Sequence, residues 1–291
     1  MIDPSNPFRT ACNASVNFSG VRTGSGLFPS IDCREIGFRN VGVRNIGFGN
    51  NGFQGTVFLL VGFLAVSCET LMAGEETENR FYDPVIRKVE GFEIAVDPAL
   101  LADDKKEFAE RVFKSLANHL QRVEFILPKE RVEKLRHCKI WLELDNPRIR
   151  GMQYHPGRGW LLSKGLDPRL VKHVHIPQAR ALLDRGQWAK HPYVILHELA
   201  HSFHDQVYGF DNREIRSVYE KARDSGKYEK IMDHRGNQVR HYGMNNEKEY
   251  FAESTEAYLG VNDFYPFVRA ELKEFDPDMY RLMQKIWGDV R

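Results

Sequence analysis

The residues from Lys190 to Tyr208 constrain this chain more than any other stretch, and their centre reads His197, Glu198, Leu199, Ala200, His201. On a helix, histidines four residues apart stand one turn above the other on one face, so both imidazoles reach a single metal ion. Pro192 suits a helical first turn, and Val194, Ile195, Leu196, Leu199, Ala200 and Phe203 are apolar on nearly every side of the helix. Such a helix is expected to be buried. Two histidines and a glutamate are costly there unless a metal or a hydrogen-bond partner meets their polar demands.

The spacing is the zinc-hydrolase signature, and a catalytic zinc site needs a third protein ligand. A histidine six residues after His201 would complete one known pattern, but that position is Val207. His204, three residues on, suits helix packing better than coordination. Acidic residues lie further along, in the run Asn246, Glu247, Lys248, Glu249, Tyr250, Phe251, Ala252, Glu253. Glu249 and Glu253 share a helical face, so one carboxylate can bind the metal and the other can accept the free ring N–H of a ligating histidine. The competing expectation makes Glu247, Glu249, Glu253 and Glu256 the solvated face of an amphipathic helix.

The pair of histidines, followed by His241, Tyr242, Gly243, Met244, Asn245 and the run just quoted, resembles the catalytic domain of the anthrax lethal factor family of zinc metallopeptidases. That family carries a tyrosine, a glycine, two variable residues and then Asn-Glu-x-Glu-aromatic-Phe-Ala-Glu. Here Met244 and Asn245 fill the variable places. The resemblance implies Glu249 as third zinc ligand, Glu253 behind it, Tyr242 as a hydroxyl over the metal and Glu198 as catalytic base. It covers roughly the last hundred residues, and it does not extend to the toxin's delivery and docking domains.

The expected fold is therefore α+β and zincin-like: a small mixed sheet, an active-site helix and a helical C-terminal lobe over 79–291. Alternation predicts strands at Phe92 to Val96, Lys139 to Leu144 and Val171 to Ile176, and a hairpin from Gly151 to Lys164 turning at Pro156-Gly157. Helices are expected from Asp103 to Arg122, from Pro128 through Leu135, from Ala179 to Arg185, from Asn212 to Arg223, from Asp263 to Glu274 and from Pro277 to Trp287. A second hairpin, Tyr228 to Met232 with Gln238 to Tyr242, would deliver Tyr242 to the site. His155, His173 and His175 are expected as surface imidazoles, and Cys138 as a buried packing residue.

Residues 1–56 are poor in charge and rich in Gly, Asn, Ser and Phe, with a five-residue rhythm from Ile36 to Gly55 too short to stack into a solenoid. Residues 57–74 hold an apolar run, Val57 to Ser67, too short to span a bilayer but suited to a secretory signal, with small residues following. We expect translation to start downstream of Met1, near Val41 or Val43, and export to a secreted or periplasmic location. A mature protein beginning at Met1 in N-terminal sequencing would contradict both. Lipid anchoring through Cys68 is the weaker expectation, because Ala65 replaces the leucine such a site prefers.

A formal net charge of +1, with bases scattered among acids, gives no stripe for nucleic acid. The expected partner is a peptide or protein substrate and the expected cofactor Zn²⁺, with no stable membrane span. A zinc-stabilised module without activity and a non-peptidase zinc hydrolase are the alternative readings. No specificity cavity is legible at this level.

Overall fold

A computed structural model describes residues 81–289. The expectations for 1–56 and 57–74 lie outside the described residues.

The chain enters a hairpin of β1 (Val85–Val89) and β2 (Phe92–Val96), with Val89 opposite Phe92. Its two-residue turn needs positive φ at both positions, supplied by Glu90 at 48° and Gly91 at 77°. Only β2 carries the alternation that predicts a strand; β1 is exposed over most of its length and has no apolar face to announce it. Helix α1 (Lys106–Ile126) begins three residues later than expected, because Asp103–Lys105 forms a tighter 3₁₀ turn. Its face of Val112, Leu116, Leu120 and Val123 is buried. Leu116 is fully buried within the main core, so Leu116→Ala should lower stability by about 2–5 kcal/mol in chemical denaturation.

After α2 (Lys129–Leu135), β3 (Lys139–Leu142) pairs parallel with β2, and β4 (Gln153–Tyr154) follows. Beyond Pro156-Gly157 the expected second hairpin strand is absent: Arg158–Ser163 is instead α3. The reason is packing. β4 takes β5 (His173–Ile176) as its antiparallel partner, leaving Leu161 to bury itself beside Ala95, Trp141, Leu166 and Leu170. The sheet order is β1-β2-β3-β5-β4, with β2, β3 and β5 parallel and both edge strands antiparallel.

Next come a 3₁₀ turn at Ala179–Leu183, α4 (Arg185–Lys190), and then α5 (Val194–Phe203), which runs into a π-helical turn at His204–Tyr208. Helix α6 (Arg213–Asp224) is capped by Asn212, whose side chain accepts the N–H groups of Glu214 and Ile215. A short hairpin of β6 (Ile231–Met232) and β7 (Gln238–Val239) leads to α7 (Glu247–Leu259). The last two helices are α8 (Arg269–Phe275) and α9 (Pro277–Trp287), the latter capped by Asp276. Helix α8 starts well after Asp263. Phe264 bridges to Asp233, Tyr265 N–H donates to the Met232 carbonyl and Asn262 N–H to the Phe267 carbonyl, so the backbone before Val268 is committed elsewhere. Among the described residues no helix is long and apolar enough to cross a membrane.

Candidate metal centre

Every residue of α5 is buried, which is why its apolar residues surround the chemistry on all sides. One turn apart, His197 and His201 set their Nε2 atoms 3.1 Å from each other, with ring planes 82° apart. Helix α7 packs against α5 and brings the third group. Asn246 caps α7, its side-chain oxygen accepting the N–H groups of Lys248 and Glu249 at 2.9 and 3.0 Å. That cap fixes the first turn, where Glu249 Oε2 lies 3.2 Å from His197 Nε2 and 3.3 Å from His201 Nε2. Two imidazole nitrogens and a carboxylate oxygen thus converge on one point.

This set fits a metal ion. Two facing ring nitrogens and an acceptor-only carboxylate at such separations repel as lone pairs unless a cation lies among them. The electrostatics agree: burial pushes the Glu249 carboxyl up, yet the two imidazoles outweigh it and hold the group well below the ordinary carboxylate range. Borderline donors of nitrogen and oxygen in this ratio are those of hydrolytic zinc sites.

The other side of His197 holds a residue that sequence reasoning named only in the competing, solvated-face expectation. Glu256 Oε1 accepts from His197 Nδ1 at 2.7 Å and from His191 Nε2 at 2.8 Å. A carboxylate only accepts here, so Nδ1 carries the ring proton and Nε2 presents its lone pair to the metal position. Burial pushes Glu256 up, but the two histidines outweigh it and keep the group ionised below its usual range. Glu253, the expected support, stands 3.8 Å from the same Nδ1. Neither is solvated: Glu253 is 2% exposed and Glu256 is fully buried. His191, His197 and Glu256 are also close enough together to suggest a second metal group. Both rings already donate to Glu256 Oε1, and one ring shared with the first group makes this trio its support.

Glu198 points from α5 toward the edge of the sheet, where its Oε2 accepts the Tyr154 N–H at 2.8 Å. Strand β4 is one of the two edges of the sheet, and it holds Glu198 directly. Burial raises the Glu198 carboxyl above its ordinary range, against the pull of His197 and His201. Tyr242 follows the short hairpin at the head of a 3₁₀ turn, Tyr242–Asn245, and is 46% exposed. The turn is held by His241 Nδ1, which accepts the Gly243 N–H at 2.9 Å. A Cβ at Gly243 would lie 3.0 Å from both His241 Nδ1 and the Tyr250 Cα, so this turn has little room for any other residue. One cavity of ≈ 340 Å³ and another of ≈ 350 Å³ both border His197, Glu198 and Tyr242. A larger one, ≈ 580 Å³ between β1 and α1, lies away from this chemistry.

The remaining histidines stand outside the ligand set. His204 is fully buried between Phe210 and Phe251, and burial drives its pKa down to about 4, leaving a neutral packing ring. His155 and His175 are not surface imidazoles: both are buried, joined Nε2 to Nδ1 at 3.0 Å beneath β4 and β5. Only His173 keeps partial exposure. Cys138 is buried, as expected.

The fold is α+β and zincin-like, with three side chains converging as a metal site requires. Residues 169–286 match the family described as anthrax toxin lethal factor, N- and C-terminal domain, so the resemblance seen in the quoted motifs is borne out over that part of the chain. A solved structure, the Pro-Pro endopeptidase PPEP-2 from Paenibacillus alvei, is 24% identical, covers 60% of this chain and 89% of its own, and superposes with a TM-score of 0.36. Comparison with curated proteins gives no match.

Proposed function

We propose that this protein is an exported zinc-dependent metalloendopeptidase. The observation that carries the reading is the approach of His197 Nε2, His201 Nε2 and Glu249 Oε2 within 3.3 Å of one another, with Glu198 alongside. Export rests on the sequence of residues 57–74 alone.

His197, His201 and Glu249 would hold a zinc ion, which would supply Lewis-acid polarisation of the peptide carbonyl and acidify the attacking water. An extended peptide adds to the sheet beside β4 through main-chain hydrogen bonds. Glu198, held by the Tyr154 N–H, takes a proton from the attacking water and gives it to the leaving amine. The base and the edge strand are thus positioned together, because one backbone N–H belongs to both. The Tyr242 hydroxyl, on the open side of the site, donates to the carbonyl oxygen as negative charge develops there. Its own proton is retained at neutral pH, since burial and then the Glu249 carboxylate raise its pKa.

Metal analysis of the purified full chain should find one zinc per molecule, and a broad peptide library should be cleaved. Stripping with a chelator should abolish cleavage and added zinc should restore it. Hydrolysis that persists after the metal is gone would rule the reading out.

A further inference from the structure

Glu256 already occupies the Nδ1 side of His197, and this frees Glu253 for another role. Glu253 is 2% exposed, and its Oε2 is buried with no hydrogen-bond partner among the described residues. Asp263 is 3% exposed, and its Oδ1 is in the same condition. Its other oxygen lies 4.0 Å from the half-exposed Lys190 Nζ, too far for a hydrogen bond. His191 and His197 are both held by Glu256, and His234 acts on the Asp263 carboxyl only through space.

Both carboxylates line the ≈ 350 Å³ cavity that borders His197, Glu198 and Tyr242. Met152, Val194 and Phe264 give that cavity apolar lining, and Gln187, Lys190 and His191 border it as well. Buried carboxylate oxygens without partners are unfavourable, and a charged donor satisfies them best. Apolar groups on one part of the wall and two carboxylates on another suit a long side chain whose stem is aliphatic and whose head is a cation. Because the cavity borders the reacting groups, what enters it belongs to a residue close to the bond being cut.

We infer that this cavity is a specificity subsite for an arginine or lysine side chain of the substrate, with Glu253 and Asp263 receiving its cationic head. The inference rests on the metallopeptidase reading, and it adds the substrate class.

The test uses the full chain carrying Glu198→Gln, loaded with zinc, so that peptides bind without turnover. Calorimetry compares an acetylated, amidated heptapeptide of alanines with arginine at its centre against the same peptide with neutral, isosteric citrulline. We expect the arginine peptide to bind at least about tenfold tighter. Adding Asp263→Asn, Glu253→Gln or both should shrink that ratio toward one while zinc content stays constant. Circular dichroism confirms that each variant folds, and the arginine-to-citrulline ratio of the parent needs no further variant. Equal binding of the two peptides overturns the inference. So does tight binding of an all-alanine peptide with a free amino terminus, which would make the cation a chain terminus. Cleavage profiling of the wild type separates the two readings: the binding ratio without any cleavage removes the peptidase and leaves the cation site standing. Cleavage with no basic preference beside the cut removes the subsite alone.

Discussion

Replacing Glu198 with glutamine is expected to leave zinc content and fold intact while lowering peptide hydrolysis by about 10²–10⁴-fold, the usual contribution of a positioned acid–base group. The amide oxygen of glutamine can still accept the Tyr154 N–H that Glu198 Oε2 accepts at 2.8 Å, so β4 keeps its anchor. Glu198 contributes nothing to the converging trio of His197, His201 and Glu249, so the metal should stay. Burial and the paired histidines act on this carboxyl in opposite directions, and the amide removes both effects because it does not titrate. The measurement is kcat for a cleaved peptide together with metal stoichiometry on the same preparation. Turnover within a factor of a few of the parent would remove Glu198 as base; loss of metal would make it a structural residue instead.

How much of this could be read from the chain depended on whether the decisive interaction was local. Helix α5 was legible because its apolar residues crowd every side and its two histidines repeat at one turn. Asn246 and Asp276 are residue types that favour helix N-caps, and in the structure they cap α7 and α9. The segment Arg158–Ser163 reads as a strand from sequence because its three apolar residues, Trp160, Leu161 and Leu162, are equally compatible with a strand and a short helix. Its choice was made by the distant surface of Ala95 and Trp141. His155 and His175 were misplaced for the same kind of reason: each meets the other across paired strands, which no periodicity reports. Around the metal, the donors themselves were legible and their support was only partly so. Reading one turn on from Glu249 led to Glu253, whereas the residue bonded to the ring is two turns on.

That difference yields the second large effect, at Glu256. A helix advances about 100° per residue, so position 256 returns to within about 20° of position 249 and position 253 to within about 40°. Glu249 and Glu256 therefore lie almost in line along α7, and His197 reaches both: Nε2 is 3.2 Å from Glu249 and Nδ1 is 2.7 Å from Glu256. Removing the acceptor frees the ring to rotate and leaves two imidazoles, His191 and His197, without their common partner. Glu256→Ala should weaken zinc binding by about 10–100-fold, the range found when the outer partner of a ligating histidine is lost. Glu256→Gln, which retains an acceptor oxygen, should recover much of that affinity, and Glu253→Gln should change it little. Competition with a chromophoric chelator reads all three, with circular dichroism confirming the fold. If Glu253→Gln were the variant that released the metal, the Nδ1 partner would be Glu253 and the cavity beside it would lose one of its two unpaired carboxylates.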